Sequence, residues 1–146
     1  MENIVFVCLG NICRSPMAEF VMKDLAEKAG KSDRYHIESR ATGNWEHGNP
    51  IHPGTQEIFR KYDIRFDENK GSQQISHDDF VKFDQIICMD DSNLSNLMKL
   101  SPKNQQHKIK KLLDISVPDP YHTGDFEETY ELVKKGCQSL MSENLT

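Results

Sequence analysis

The chain has 146 residues, 36% of them apolar and 28% charged, and carries a formal net charge of -5. That length suits a single domain over residues 1–146 with one sizeable core. The negative charge, with no basic run interleaved with aromatics, argues against a nucleic-acid partner. The mean hydropathy of -0.68, and a longest apolar run of only residues 4–9, argue against a membrane span, which needs about 20 apolar residues.

Met1-Glu2-Asn3 has no basic region and runs straight into a strand pattern, so no signal peptide is expected and a cytoplasmic location is. The apolar run 3–7 predicts a buried first strand. Residues 17–29 predict an amphipathic helix with Met17, Phe20, Val21, Leu25 and Ala29 on one stripe. Ser15 is the expected N-cap, Pro16 suits the first helical position, and Gly30 supplies the stop. A second strand is expected over 35–42, then a loop holding the sole tryptophan, Trp45. Residues 53–62 predict a helix with Ile58 and Phe59 inward. Residues 64–74 give no regular pattern, and 76–83 suggest a short helix. Ile86-Ile87-Cys88-Met89 marks a buried strand over 84–89. A helix over 91–100 and a strand over 108–113 follow. Two prolines around Asp119 argue against regular structure over 117–121. The last helix is expected from Asp125, where Asp125 and Glu128 fit a capping box, with Phe126, Tyr130, Val133, Cys137 and Leu140 facing the core.

Strands alternating with helices imply an α/β fold: one three-layer domain, a four-stranded parallel sheet with helices on both faces. In such sheets ligands bind beyond the carboxyl ends of the strands. Three loops fall there: 8–15, 43–48 and 118–121. The first links strand one to helix one, and it carries chemistry. A helix start offers unpaired N–H groups and a positive dipole end, an anion site. The same field favours thiolate, the nucleophilic form of cysteine, at Cys8. Arg14, with five residues between it and Cys8, offers a planar fork that matches a phosphate. A nucleophile inside an anion cradle points to attack on the phosphorus of a phosphate ester.

The other residues carry competing readings. Gly10 permits close backbone approach or a positive φ, and Asn11 tolerates a left-handed conformation while its amide braces the loop. Ser15 can also donate to the Cys8 sulfur. Asp119, held between two prolines, is the candidate acid for a leaving oxygen, or a turn residue. Trp45 and Tyr121 can clamp an aromatic substrate, or merely anchor their loops. Cys13 can pair with Cys8 on oxidation, or stay a buried thiol. Asp90 can cap the helix after it or tether the phosphate loop. Cys88 and Cys137 read as core. No cysteine pair or histidine group has metal-ligand spacing, so neither metal nor cofactor is expected.

Val7-Cys8-Leu9-Gly10-Asn11-Ile12-Cys13-Arg14-Ser15-Pro16 resembles the signature of the low-molecular-weight protein tyrosine phosphatases. Asp119-Pro120-Tyr121 resembles their acid-bearing loop, residues 39–45 their second active-site loop, and Met89-Asp90 with Ser92-Asn93 their motif after strand three. The resemblance implies that Cys8 forms a phosphocysteine. It implies that Arg14 and the backbone amides of Leu9, Gly10, Asn11, Ile12, Cys13, Arg14 and Ser15 bind the phosphoryl oxygens. Asp119 would protonate the tyrosine oxygen and then activate water. Asn11, with Ser39 behind it and Asp90 beside it, would support the loop, and Trp45 and Tyr121 would line the cleft. Tyrosine-phosphorylated proteins are then the expected partners, with the enzyme a monomer or weak homodimer. His122 stands where some members carry a second tyrosine. The nearest rival is a thioredoxin-coupled arsenate reductase, which needs two further relay cysteines. Cys88 offers one, but Ser95 stands near where the other is expected. A second rival is a non-catalytic phosphate-binding module, which has no need of both nucleophile and acid.

Overall fold

The computed structural model describes residues 1–143. Four strands, β1 (Glu2–Cys8), β2 (Tyr35–Ala41), β3 (Gln85–Cys88) and β4 (Ile109–Lys111), form one sheet in the order β2-β1-β3-β4. Every pairing is parallel. The helices are α1 (Arg14–Lys28), α2 (Pro53–Lys61), α3 (His77–Lys82), α4 (Asp91–Leu100), α5 (Pro120–Thr123) and α6 (Phe126–Glu143).

The strand period of two sorts β1 into two layers. Ile4, Phe6 and Cys8 pack with Met17 and Val21 of α1, Phe59 of α2, and Tyr130, Val133 and Cys137 of α6. Val5 and Val7 pack the other way, with Phe80 of α3 and Leu97 of α4. Helices therefore cover both faces, and β1 reads as a continuous apolar run because both of its sides are buried. From β1 the chain crosses to β2 on one side, and later to β3 on the other. This topological switch leaves the carboxyl end of β1 as a crevice.

Several local expectations need correction. Helix α1 begins at Arg14 rather than Met17, and Ser15 is not its cap. Cys13 holds that position with no side-chain capping bond, while the Ser15 hydroxyl is buried against Cys8. Pro16 is the third residue of α1 rather than the first, still within the first turn, where its missing N–H costs nothing. The C-terminus is as expected: Gly30, at φ +69, donates to the Glu27 carbonyl and Lys31 to that of Ala26, a Schellman stop. Residues 117–121 are not wholly irregular. Asp119 caps the short helix α5, its Oδ1 accepting from the Tyr121 N–H, and Pro120 takes the first helical position. The capping box of α6 is half made. Asp125 Oδ1 accepts from the Glu128 N–H at 3.0 Å, but the Asp125 N–H is taken by Thr123 Oγ1. Strands β3 and β4 are shorter than expected. At the end of β3 the Met89 N–H leaves the ladder for Asn93 Oδ1.

Helix α6 approaches the end of the sheet at Gly136, where a Cβ would lie 2.4 Å from the side chain of buried Leu112. Gly136→Val should therefore lower stability in urea by about 1–3 kcal/mol through overpacking. It should leave turnover by the folded enzyme unchanged, since α6 meets Leu112 away from the crevice. A neutral or stabilising effect would show that Leu112 yields at no cost.

Candidate active site

Beyond the end of β1 the backbone wraps into a loop whose carbonyls are held from outside. The Cys8 carbonyl accepts from the Thr42 N–H and that of Leu9 from the Gly43 N–H. Ser72 Oγ binds the Gly10 carbonyl at 2.7 Å. The His52 N–H holds the Ile12 carbonyl at 2.8 Å, and Thr55 Oγ1 binds that of Cys13. In a trans peptide the N–H points opposite to the carbonyl that precedes it. The N–H groups of Leu9, Gly10, Asn11, Cys13 and Arg14 therefore turn toward the inside of the loop. The Asn11 and Ser15 N–H groups point at Cys8 Sγ from 3.3 and 3.4 Å. With α1 starting at Arg14, its dipole adds to this ring of donors.

Asn11 sets the curvature. Its φ is +56, a left-handed value that asparagine tolerates better than most residues. Gly10 does not take a positive φ; what its missing side chain permits is the approach of Glu46, whose Cγ would lie 3.3 Å from a Cβ there. The Asn11 amide donates to Ser15 Oγ at 2.8 Å and Ser39 Oγ at 3.0 Å, and its oxygen accepts from the Gln73 N–H. Both protons of one nitrogen are thus spent on two hydroxyls. Each hydroxyl has one proton left. Ser39 gives its proton to buried Glu19 at 2.6 Å, and Ser15 Oγ lies 3.0 Å from Cys8 Sγ. The Ser15 hydroxyl is also 3.4 Å from the Arg40 carbonyl, a longer and weaker alternative.

Arg14 is buried, and its charge is fixed in place. Nη1 donates to Asp90 Oδ2 at 2.7 Å and to the Val117 carbonyl at 2.9 Å. Burial opposes the guanidinium charge, but Cys8, the Asp90 bond and the Asp119 carboxylate outweigh it, so its pKa is raised. Among the described residues Nε makes no hydrogen bond, so the Nε–Nη2 edge is open to an anion. Asp90 Oδ1 also caps α4 through the Asn93 N–H at 2.7 Å, so one carboxylate meets both the helix after it and Arg14. Asp119 fixes Oδ1 in the α5 cap and leaves Oδ2 3.6 Å from Arg14 Nη2 and 4.0 Å from His122 Nε2.

These groups line a cleft of about 290 Å³ with Cys8, Arg14 and Cys13 at its base and Trp45, Asp119 and Tyr121 around it. Trp45 lies over Gly43, where a Cβ would sit 2.1 Å from the indole. Trp45 and Tyr121 are 63% and 59% exposed, at the mouth of the cleft and outside the packed core. Cys8, Arg14, Asp119, Trp45, Tyr121, Asn11, Ser15, Ser39, Asp90 and the loop backbone are thus brought together. Burial, then the charges of Cys8 and Asp119, push the Cys13 thiol up. Burial likewise raises Cys88, to about 12, and Cys137. Among the described residues no group of three or more His, Cys, Asp or Glu is placed to hold a metal ion.

The sequence did not reveal Ser72, Gln73, His52, Thr55 or the Val117 carbonyl, which reach the loop only through the fold. Glu19 did leave a signal: an acid four residues after Ser15, on the helix face next to the sheet, needs buried partners. It finds Ser39, Lys23 at 2.7 Å and Lys70 at 3.6 Å. Burial lowers the Lys70 pKa, partly offset by Glu19.

A cysteine and an arginine on one loop, with amides turned inward beyond a parallel strand, define a cysteine-dependent phosphatase. The sequence pattern of the low molecular weight phosphotyrosine protein phosphatases matches residues 3–146. The low molecular weight protein-tyrosine-phosphatase YfkJ of Bacillus subtilis is 47% identical over 150 residues, covering 97% of this chain and 95% of its own. The crystal structure of YfkJ superposes with a TM-score of 0.94 over 98% of this chain and 94% of that one. SP-PTP, a low molecular weight protein tyrosine phosphatase from Streptococcus pyogenes, is 55% identical. It has a TM-score of 0.93 and covers 98% of this chain and 93% of its own. The chain belongs to the low molecular weight phosphotyrosine protein phosphatase family. It is accordingly a protein tyrosine phosphatase, a cysteine-dependent hydrolase.

Asn11→Ala should cost roughly 2–4 kcal/mol in urea unfolding, from the left-handed backbone and the orphaned Ser39, Ser15 and Gln73 groups. Asn11→Gly keeps the backbone conformation without the amide and should recover about 1–2 kcal/mol of that loss. Equal losses in the two variants would show that the backbone at Asn11 is unstrained.

Proposed function

We propose that one domain spanning the chain hydrolyses phosphotyrosine on proteins in two steps, with the phosphoryl group carried on Cys8. The observation that carries this reading is the convergence of three donors on Cys8 Sγ, with Arg14 beside it and Asp119 across the cleft. The phosphate oxygens sit in the inward N–H groups of residues 9–15 and on the open edge of Arg14. The Cys8 thiolate attacks phosphorus as the bond to the tyrosine oxygen breaks, and Asp119 gives that oxygen its proton. In the second step water attacks phosphorus, Asp119 takes its proton, and the sulfur–phosphorus bond breaks. The Ser15 hydroxyl donates to the departing thiolate. Negative charge spreads over the equatorial oxygens in both transition states, where the fixed amides and Arg14 act most strongly.

Trp45 and Tyr121 receive the substrate ring between them, which favours aryl over alkyl esters. The expected site is the cytoplasm; among the described residues no helix is long and apolar enough to cross a membrane. The arsenate reductase reading fares worse, because Cys88 is fully buried and its thiol is pushed up to about 12, first by burial and then by Asp90. A relay thiol needs the opposite, exposure and a lowered pKa. Cys13 lines the same cleft five residues after Cys8, which supports it as the thiol that pairs with Cys8 on oxidation.

Purified protein should hydrolyse p-nitrophenyl phosphate in the presence of a chelator. Cys8→Ser should abolish turnover while phosphate still binds. Asp119→Ala should slow kcat by about 10²–10⁴ and make the rate depend steeply on the acidity of the leaving phenol. Turnover by Cys8→Ser, or a leaving-group dependence the same in Asp119→Ala and the parent enzyme, would refute these roles.

A further inference from the structure

His52 stands behind the cleft rather than in it. Its ring caps α2, with Nδ1 accepting from the Gly54 N–H at 3.0 Å. The ring lies on Phe126, the first residue of α6, with centroids 5.1 Å apart and planes 24° from parallel. It meets Tyr121 edge-on, at 6.0 Å and 78°. The stack exists because residue 54 is glycine: a Cβ there would lie 2.5 Å from the Phe126 ring. Among the described residues, the rings that meet Tyr121 are His52 and His122. Tyr121 is 59% exposed, and its other ring neighbour, His122, has a side chain 74% exposed.

We propose that His52 is a positioning residue: clamped between Phe126 and the α2 cap, its ring holds Tyr121 in place as one wall of the cleft and so sets the grip on the substrate's aromatic ring. The inference rests on the reading of the cleft as a phosphotyrosine site. Its physical basis is preorganisation. A tyrosine already leaning on a fixed ring loses less rotamer freedom when a substrate ring arrives, and the edge-on pair adds its own attraction. Because the side chain does not line the cleft, its effect should appear in ring binding alone. The backbone bond from His52 to Ile12 is the same for any side chain, so the phosphate loop should not feel the substitution.

Two variants separate the side chain's two contacts. His52→Asp keeps an acceptor for the α2 cap and removes the ring, while His52→Phe keeps a ring and removes the acceptor. Binding is read from the fluorescence of Trp45, the sole tryptophan, on titration with benzylphosphonate and, separately, with inorganic phosphate. His52→Asp should weaken benzylphosphonate binding and raise KM for p-nitrophenyl phosphate by about three- to tenfold. It should leave kcat and inorganic phosphate affinity unchanged. His52→Phe should keep the benzylphosphonate affinity and lower the melting temperature. In a Tyr121→Ala background, His52→Asp should add nothing further to KM. The proposal is overturned by unchanged benzylphosphonate affinity in His52→Asp, by an equal loss for inorganic phosphate, or by the full effect persisting without Tyr121. Should His52→Asp not fold, loss of benzylphosphonate affinity in His52→Phe overturns it instead. Parent protein that binds benzylphosphonate but turns over no aryl phosphate would end the catalytic reading and leave this one standing.

Discussion

The Cys8, Leu9, Gly10, Ile12 and Cys13 carbonyls all accept hydrogen bonds from groups outside the loop, and the rest of the site depends on that. With the carbonyls held outward, peptide planarity sends the N–H groups inward, and a ring of donors forms without any cation beyond Arg14. The donors come from widely separated parts of the chain: Thr42 and Gly43 after β2, His52 and Thr55 around the start of α2, and Ser72 from an irregular stretch. The site is thus a property of the whole α/β layer rather than of the loop's own sequence. The donors are held in place by the fold itself, and dipoles fixed in advance are the ones effective in catalysis.

The same region carries elements that are costly to assemble. Arg14 is buried with Asp90 and near Asp119, and removing two charges from water costs about as much as their attraction returns. Asn11 holds a left-handed backbone, and Glu19 is an acid in a helix face that packs on the sheet. Such features persist where function requires them and the surrounding structure over-determines them. Asp90 links the two demands: one oxygen caps α4 and the other holds Arg14, so the helix after β3 and the arginine after β1 are fixed by one carboxylate.

Much of this was legible in the chain, and the reasons differ by element. The central strands β1 and β3 announced themselves because parallel strands buried on both sides are continuous apolar runs, whereas the edge strands β2 and β4 carry polar residues. The sites at Cys8, Arg14 and Asp119 stood out because their residue types sit at a strand end, a helix start and a proline-locked turn. Ser15 was misplaced as a cap, since a serine before a proline reads as a helix start. Its hydroxyl is drawn instead into the Asn11–Cys8 network, the second role that its place in the loop offered. The 117–121 turn concealed a short helix because Pro120, a breaker inside helices, is favoured at their first position. Residues 64–74 carried no period at all, yet Ser72 and Gln73 lie there. Their role is to satisfy Gly10 and Asn11, more than sixty residues earlier, and only the assembled fold brings them close.

That stretch has a wider meaning. Residues 71–74 belong to no strand, but they form isolated bridges to Ala41, His47 and Pro50 while gripping the loop through Ser72 and Gln73. They act as a strap laid across the cleft's underside, anchored by a few backbone contacts rather than by a packed core. A strap of this kind opens at lower free energy than the sheet does. Heat or denaturant would slacken the anion ring while strands and helices remain assembled, and the enzyme would fall silent before it came apart.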